Sequence, residues 1–348
     1  MARPLRIQIE GGRYHLTGRG NERKPIFRDD RDRKRFLDIL AEFPERFGTR
    51  LHAYVLMDNH FHLVLETPEA NLSRVGQWMN VTYTMRFNRR HRRSGHLLQG
   101  RFQSVLIEDQ AGLQAVGRYV HLNPARVRRL GLSKHQRSVQ RAGIGGQPRA
   151  QVVRERLEVL RNYRWSSYRA YAGYEKAPDW LWTEELGRLC GGRTSKERRQ
   201  ALREYTEEAV REGITASPWE NLVGGVVLGS EDFAREMVSR VRHDKREQRA
   251  AKVLEGRVGW EAIVKAVEQE KGERWMEFRD RYGDWGRDVA LWLGRTAGRM
   301  RLQELAGKVG GVDYTAVSAA VGRVGRGLAA GASYRDPVQR IKARLSNI

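Results

Sequence analysis

Two apolar runs, Leu51 to Leu56 and His60 to Glu66, flank the tripeptide Met57-Asp58-Asn59, and this spacing and turn chemistry predict a β-hairpin. Side chains alternate along a strand, so His60, His62 and Val64 share one face of the second arm while Phe61, Leu63 and Leu65 share the other. One face packs into a core. The other presents two imidazoles, a geometry that suits a metal ion.

The flanking sequence extends the pattern. Tyr14 to Gly18 alternates as a short strand, and Arg19-Gly20-Asn21 breaks it with turn-forming residues. Asp29 and Asp30 are N-cap candidates for a helix whose apolar stripe of Phe36, Leu37, Leu40 and Phe43 ends near Pro44 and Gly48. Asn71 can cap a long helix reaching about Arg90. Phe102 to Ile107 reads as a fourth strand, and Gln110 to Leu122 is helical until Pro124 stops it. The order β, α, β, β, α, β, α matches the ferredoxin-like split βαβ plan, in which two helices cover one face of an antiparallel sheet and the other face is free to hold DNA.

Charge points to the partner. Lys and Arg number 65 against 42 for Asp and Glu, a formal net charge of +23, and the excess runs through the whole chain of 348 residues. A polyanion is the expected ligand. Cys190 is the sole cysteine, which excludes an internal disulfide and a thiolate zinc finger. No phosphate-binding Gly-x-x-x-x-Gly-Lys-Ser/Thr loop occurs, so the chemistry is expected to need no nucleotide fuel. No stretch approaches the apolar length of a membrane span, and the N-terminus opens no signal peptide, so a cytoplasmic location without membrane contact is expected.

Tyr119 and Asn123 are four apart on the helix after the fourth strand, neighbours on one face beside Leu113, Val116 and Val120. They can meet the histidines across the sheet. Two imidazoles and the Asn123 carbonyl leave positions on a divalent ion open for phosphate oxygens and water. A phenol is a weak nucleophile at neutral pH, and a neighbouring cation that stabilises phenolate makes tyrosine attack on phosphorus feasible. Taken singly, His-x-His is more often exposed or hydrogen-bonded than metal-bound, and such a tyrosine is more often part of a rim or core. His121 lies about 200° round the helix from Tyr119, which assigns it to a supporting or DNA-contacting role rather than to the ion.

Further along, Gly131 to Asn162 is polar and reads as a loop or insertion before a helix. Trp165-Ser166-Ser167-Tyr168 with Tyr171 is aromatic and basic, suited either to base stacking or to anchoring the domain edge. Thr183 to Glu255 has helical periodicity and no residue types arranged for catalysis. The last hundred residues form a separate helical module: Trp285 to Leu293, Leu302 to Val309, a Gly310-Gly311 turn and Tyr314 to Val324, with Arg295, Arg299 and Arg301 as a basic flank. Two helices about a glycine turn indicate helix-turn-helix.

These residues resemble a family, the single-tyrosine HUH transposases, and within it the REP-associated tyrosine transposase branch. The resemblance spans about Arg3 to Gly173. It rests on Thr17-Gly18-Arg19-Gly20-Asn21, the run from Leu51 through His60-Phe61-His62, Gly100-Arg101-Phe102, Arg118-Tyr119-Val120-His121-Leu122-Asn123-Pro124 and Trp165-Ser166-Ser167-Tyr168-Arg169. It implies that His60, His62 and Asn123 hold Mg or Mn and that Tyr119 cuts single-stranded DNA at hairpin-forming palindromic repeats. The products would be a 5′-phosphotyrosine and a free 3′-hydroxyl. Arg19, Asn21, Arg101, Arg118, His121 and Arg126 are the expected DNA contacts of this part. The stretch from Ser133 to Leu160 is longer than the family pattern leads one to expect.

A narrower resemblance joins Arg287-Asp288-Val289-Ala290 and Leu302 through Gly310-Gly311-Val312-Asp313-Tyr314-Thr315-Ala316-Val317 to the C-terminal DNA-binding domain of the replication initiator DnaA. There the second helix enters the major groove. That domain usually carries a basic residue, Asp, His, Thr and Thr after the glycines, where this chain has Val312 to Ala316. Arg299, Arg301, Asp313, Tyr314 and Thr315 are the expected duplex contacts. The whole reading is therefore α+β: a ferredoxin-like split βαβ nuclease domain over 1–174, an all-α connector over 175–270 and a helix-turn-helix domain over 271–348, acting as a monomer or homodimer. The alternatives are a non-catalytic binder of DNA hairpins derived from a transposase, and a metal hydrolase using water instead of tyrosine.

Overall fold

A computed structural model describes residues 5–127, 148–214, 217–240, 258–298, 300–329 and 334–346. The chain divides into two compact units, Met1–Ala250 and Ala251–Ile348.

The first unit is built on a sheet. Its elements begin with β1 (Gly12–Arg19), α1 (Asp30–Ala41), α2 (Phe43–Phe47), β2 (Arg50–Met57), β3 (His60–Thr67), α3 (Leu72–Arg90), β4 (Gln103–Ile107) and α4 (Gln110–Leu122). The four strands pair antiparallel in the order β2-β3-β1-β4, the arrangement of a split βαβ fold. Local chemistry sets the boundaries: Asp29 accepts from the Asp32 N–H to cap α1, Asp109 accepts from the Gly112 N–H to cap α4, and Gly48 ends α2 with a left-handed φ of 64°. The helical run after β1 is thus two helices rather than one, since Pro44 begins a new turn.

The Phe61 face of the sheet packs against α1 and α3: the rings of Phe36 and Phe61 lie 4.9 Å apart, as do those of Phe36 and Tyr83. The opposite face was expected to be free. Instead α4 packs on β2 and β3 there, because its buried residues Leu113, Val116 and Val120 need an apolar surface and the sheet provides it.

Residues beyond α4 complete this unit. They include α5 (Ala150–Asn162), α6 (Tyr168–Ala172), α7 (Glu184–Leu189), α8 (Ser195–Arg211), β5 (Leu222–Val223), β6 (Val227–Leu228) and α9 (Glu231–Ser239). Of the loop expected over Gly131 to Asn162, residues 131–147 lie outside those described, and Ala150–Asn162 is instead helical. The Trp165–Tyr171 segment anchors rather than faces solvent: the Leu56 N–H donates to the Trp165 carbonyl, the Ser167 N–H donates to the Tyr54 carbonyl, and the Tyr171 hydroxyl donates to the His52 carbonyl. The connector is not all-α. β6 pairs in parallel with β4, and β5 with β6, so the sheet grows to six strands in the order β2-β3-β1-β4-β6-β5. The unpaired edge of β4 offers free N–H and C=O groups that this short hairpin satisfies.

The second unit is helical: α10 (Trp260–Lys271), α11 (Trp275–Phe278), α12 (Trp285–Thr296), α13 (Leu302–Lys308), α14 (Tyr314–Ala329) and α15 (Arg335–Ser346). α10, which falls in the expected connector, packs its Trp260, Ile263 and Val267 with Phe278, Leu293, Leu305, Val317 and Ile341 in one core. Asp288, fully buried, is held by two hydrogen bonds from the Arg323 guanidinium, 2.8 and 3.0 Å, tying α12 to α14.

Candidate active site

The turn of the β2–β3 hairpin and the end of β1 meet a loop from Leu97 to Gln103. The Gly20 N–H donates to the Asn59 carbonyl, the Asn21 N–H to the Leu97 carbonyl and the Gln99 N–H to the Arg19 carbonyl. Only glycine fits at position 20, since a Cβ there would lie 2.1 Å from the Lys24 carbonyl oxygen. These contacts enclose a cleft of about 280 Å³ lined by Arg19, His60, His62, Gln99, Arg101 and Gln103 among others.

His60 and His62 share this cleft, their ring centroids 5.1 Å apart and their planes nearly perpendicular. His60 Nδ1 lies 2.7 Å from Asn59 Oδ1, and His62 Nδ1 lies 2.9 Å from His15 Nε2. Burial, reinforced by the nearby Arg19 guanidinium, lowers the His60 pKa to about 4. His62 is likewise held well below the ordinary imidazole range, by burial first and then by His15, His60, Arg19 and Arg126. Both rings are therefore neutral at pH 7, the form that ligates a cation.

Tyr119 comes to the same place from α4. Its ring lies 5.7 Å from that of His62 and 6.0 Å from that of His15, edge-on to both, and the Arg126 guanidinium sits 4.9 Å over it. Tyr119 thus meets His62 within one chain, although it is not among the residues that line the cleft. Asn123 follows at the end of α4, where its amide nitrogen donates to the Tyr119 carbonyl at 2.9 Å; it is buried and is not among the residues that line the cleft.

The expected DNA contacts separate into groups. Arg19 and Arg101 line the cleft, Asn21 lies beside it and Arg126 covers the tyrosine. Arg118 is directed elsewhere, its guanidinium 4.1 Å over the Tyr205 ring. His121 is buried rather than presented at the surface, with Nε2 3.0 Å from Ser167 Oγ and its ring against Tyr168 and Tyr171, which fits the supporting role. The half-turn of helix that separates it from Tyr119 aims it into the protein on the opposite side of α4. In the second unit Arg301, Asp313, Tyr314 and Thr315 are exposed, and the Thr315 N–H donates to Asp313 Oδ1 at the start of α14. Arg299 lies outside the described residues.

Two members of the site escape a local reading of the sequence. His15 pairs across from Val64 in a register that sets Thr17 opposite His62, so the alternation already visible in β1 would reveal it only once β1 is known to pair with β3. Trp219 has no local signal. It reaches the site from the segment just before β5, with its ring 4.7 Å from His15 and 5.1 Å from Tyr119.

Among the described residues His52, Glu66 and Glu185 form a second group with the donor types of a cation site. His52 Nε2 lies 3.7 Å from an oxygen of each carboxylate. Arg13, however, already bridges Glu66 and Glu185, at 3.5 and 2.7 Å, and Arg50 holds the other Glu66 oxygen at 2.8 Å. Two guanidinium charges balance two carboxylates, and a divalent ion beside Arg13 would meet strong repulsion. The cleft histidines are the better-suited donors.

Residues 8–123 match the model of the family described as IS200-like transposase, a span that runs from before β1 to Asn123 and contains both histidines and Tyr119. No curated protein matches the chain. A solved structure described as a REP-associated tyrosine transposase bound to a REP hairpin aligns over 53% of this chain and 93% of its own, at 15% identity and a TM-score of 0.36.

Proposed function

We propose that the chain is a divalent-metal-dependent transposase that cuts and rejoins single-stranded hairpin DNA through Tyr119. The observation that carries this reading is the Tyr119 ring set against that of His62, which with His60 lines a cleft rimmed by Arg19 and Arg101. The family match over residues 8–123 supports the class, and the sequence resemblance supplies the hairpin substrate.

His60, His62 and the Asn123 oxygen would hold the ion. Two nitrogens and an amide oxygen suit Mn better than Mg, whose ligands are overwhelmingly oxygen. When bound, the ion supplies Lewis-acid polarisation of the scissile phosphate and lowers the proton affinity of a nearby phenol. Arg19 and Arg101 pair with phosphate oxygens and orient the strand in the cleft. The Tyr119 oxygen attacks phosphorus; the P–O3′ bond breaks, and the departing oxygen takes a proton to become a 3′-hydroxyl. The resulting 5′-phosphotyrosine keeps the phosphodiester energy, so attack by another 3′-hydroxyl reseals DNA and restores the phenol without ATP. The second unit would bind duplex DNA, with α13 and α14 as the two arms of a helix-turn-helix and Arg301, Tyr314 and Thr315 at the DNA surface.

The test uses end-labelled hairpin DNA built from any inverted repeats that flank the coding region. Incubated with Mn and run on a denaturing gel, it should give a covalent protein–DNA adduct with the parent and none with Tyr119→Phe. Cleavage without an adduct in the parent would establish the water-using hydrolase instead. Tight hairpin binding with neither cleavage nor adduct would establish the non-catalytic binder.

A further inference from the structure

We infer that Asn59 and His15 are positioning residues that determine which nitrogen of each cleft histidine carries hydrogen, so that both rings turn an Nε2 lone pair towards the cation. The inference rests on the metal reading of His60 and His62 proposed above. It concerns two residues outside the proposed ligand set.

For His60 the hydrogen bond leaves no choice. Asn59 Nδ2 donates to the Arg23 carbonyl at 2.9 Å, which fixes the amide orientation and makes the atom 2.7 Å from His60 Nδ1 the Asn59 oxygen. A carboxamide oxygen only accepts, so His60 Nδ1 bears the hydrogen. A neutral imidazole carries one N–H, and its lone pair is therefore on Nε2.

For His62 the partner is another imidazole, which can donate or accept. The two rings lie within 12° of coplanar with Nδ1 and Nε2 2.9 Å apart, the geometry of an in-plane N–H···N bond. Were His15 the donor, neutral His62 would carry its hydrogen on Nε2 and have no lone pair for an ion. With His15 accepting, His62 matches His60 and both present the same atom. Cation binding selects this arrangement, and the acceptor at Nδ1 in turn makes Nε2 a more basic ligand. His15 is itself buried and packed beneath Trp219, so the acceptor is held in place.

Mn affinity of the full-length, metal-stripped protein tests this, with free Mn read by electron paramagnetic resonance. Asn59→Ala and His15→Leu should each weaken binding about 10- to 100-fold. Asn59→Asp and His15→Gln, which keep an acceptor, should recover most of the loss, a pattern that does not follow from stability alone. Two-bond proton–nitrogen spectra of the metal-free parent should show the His60 hydrogen on Nδ1. Parent-like Mn binding in Asn59→Ala and His15→Leu, with binding lost in His62→Ala, would overturn the positioning role and leave the metal site standing. Unchanged binding in both His60→Ala and His62→Ala would overturn the metal reading and this inference with it.

Discussion

His62 and His121 are both buried imidazoles, and what separates a candidate ligand from a structural residue is what each ring faces. His62 opens onto a cleft. His121 is enclosed, beside Ser167 Oγ and two tyrosine rings, and burial lowers its pKa to about 3. The unfolded chain, with an ordinary imidazole near 6.5, binds the proton that the folded chain refuses. The stability linked to His121 is therefore complete above about pH 6.5 and is lost as pH falls through the interval down to about 3. In His121→Gln the group does not titrate, so urea unfolding of metal-free protein should show a fall between pH 7 and pH 5 that is smaller than the parent's by up to about 2 kcal/mol. Equal falls would contradict the assignment. At this scale the shared face of His60 and His62 was legible from strand alternation alone. The role of His121 was not, because the helix specifies a direction and only the neighbouring segment around Ser167 turns that direction into an interior.

Between elements, the approach of α3 to β4 depends on Gly76. A Cβ at that position would lie 2.2 Å from Phe102 Cε1. The ring is held in place by the Arg6 guanidinium, which lies 3.7 Å from its centroid and donates to the Phe102 carbonyl. Gly76→Ala gains about 1 kcal/mol of helix propensity, whereas overpacking costs about 1–3 kcal/mol. With the ring clamped, the clash should win, and denaturant unfolding should show a net loss of about 1 kcal/mol or more. A stabilised variant would mean that the packing yields. The helix and the strand were both readable in sequence, with ends accurate to a residue or so. Their closeness was not, because a glycine in a helix says that something approaches without saying what.

For the whole molecule, the consequence is that His62 and Tyr119 belong to one chain. If the site works as it is assembled, an equimolar mixture of Tyr119→Phe and His62→Ala proteins should form no covalent adduct with hairpin DNA, even after co-refolding. Recovery of the adduct in the mixture would show that the tyrosine serves a partner's site. The segment that brings Trp219 to the tyrosine also extends the sheet through β5 and β6, so a region that reads as a plain connector is part of the first unit's architecture. None of the described helices is long and apolar enough to cross a membrane.

By itself the sequence determined the strand–helix order, the hairpin with its paired imidazoles, the neighbouring placement of Tyr119 and Asn123, and the cationic character that calls for a polyanion. All of these follow from short-range periodicity and composition. Only the tertiary structure decided that α4 covers the histidine face, that His15 and Asn59 support the two imidazoles, that His121 is interior and that Trp219 joins the site. Those relations depend on strand register and on contacts between residues far apart in sequence, such as His15 with Trp219, where burial of apolar surface rather than local propensity selects the partner.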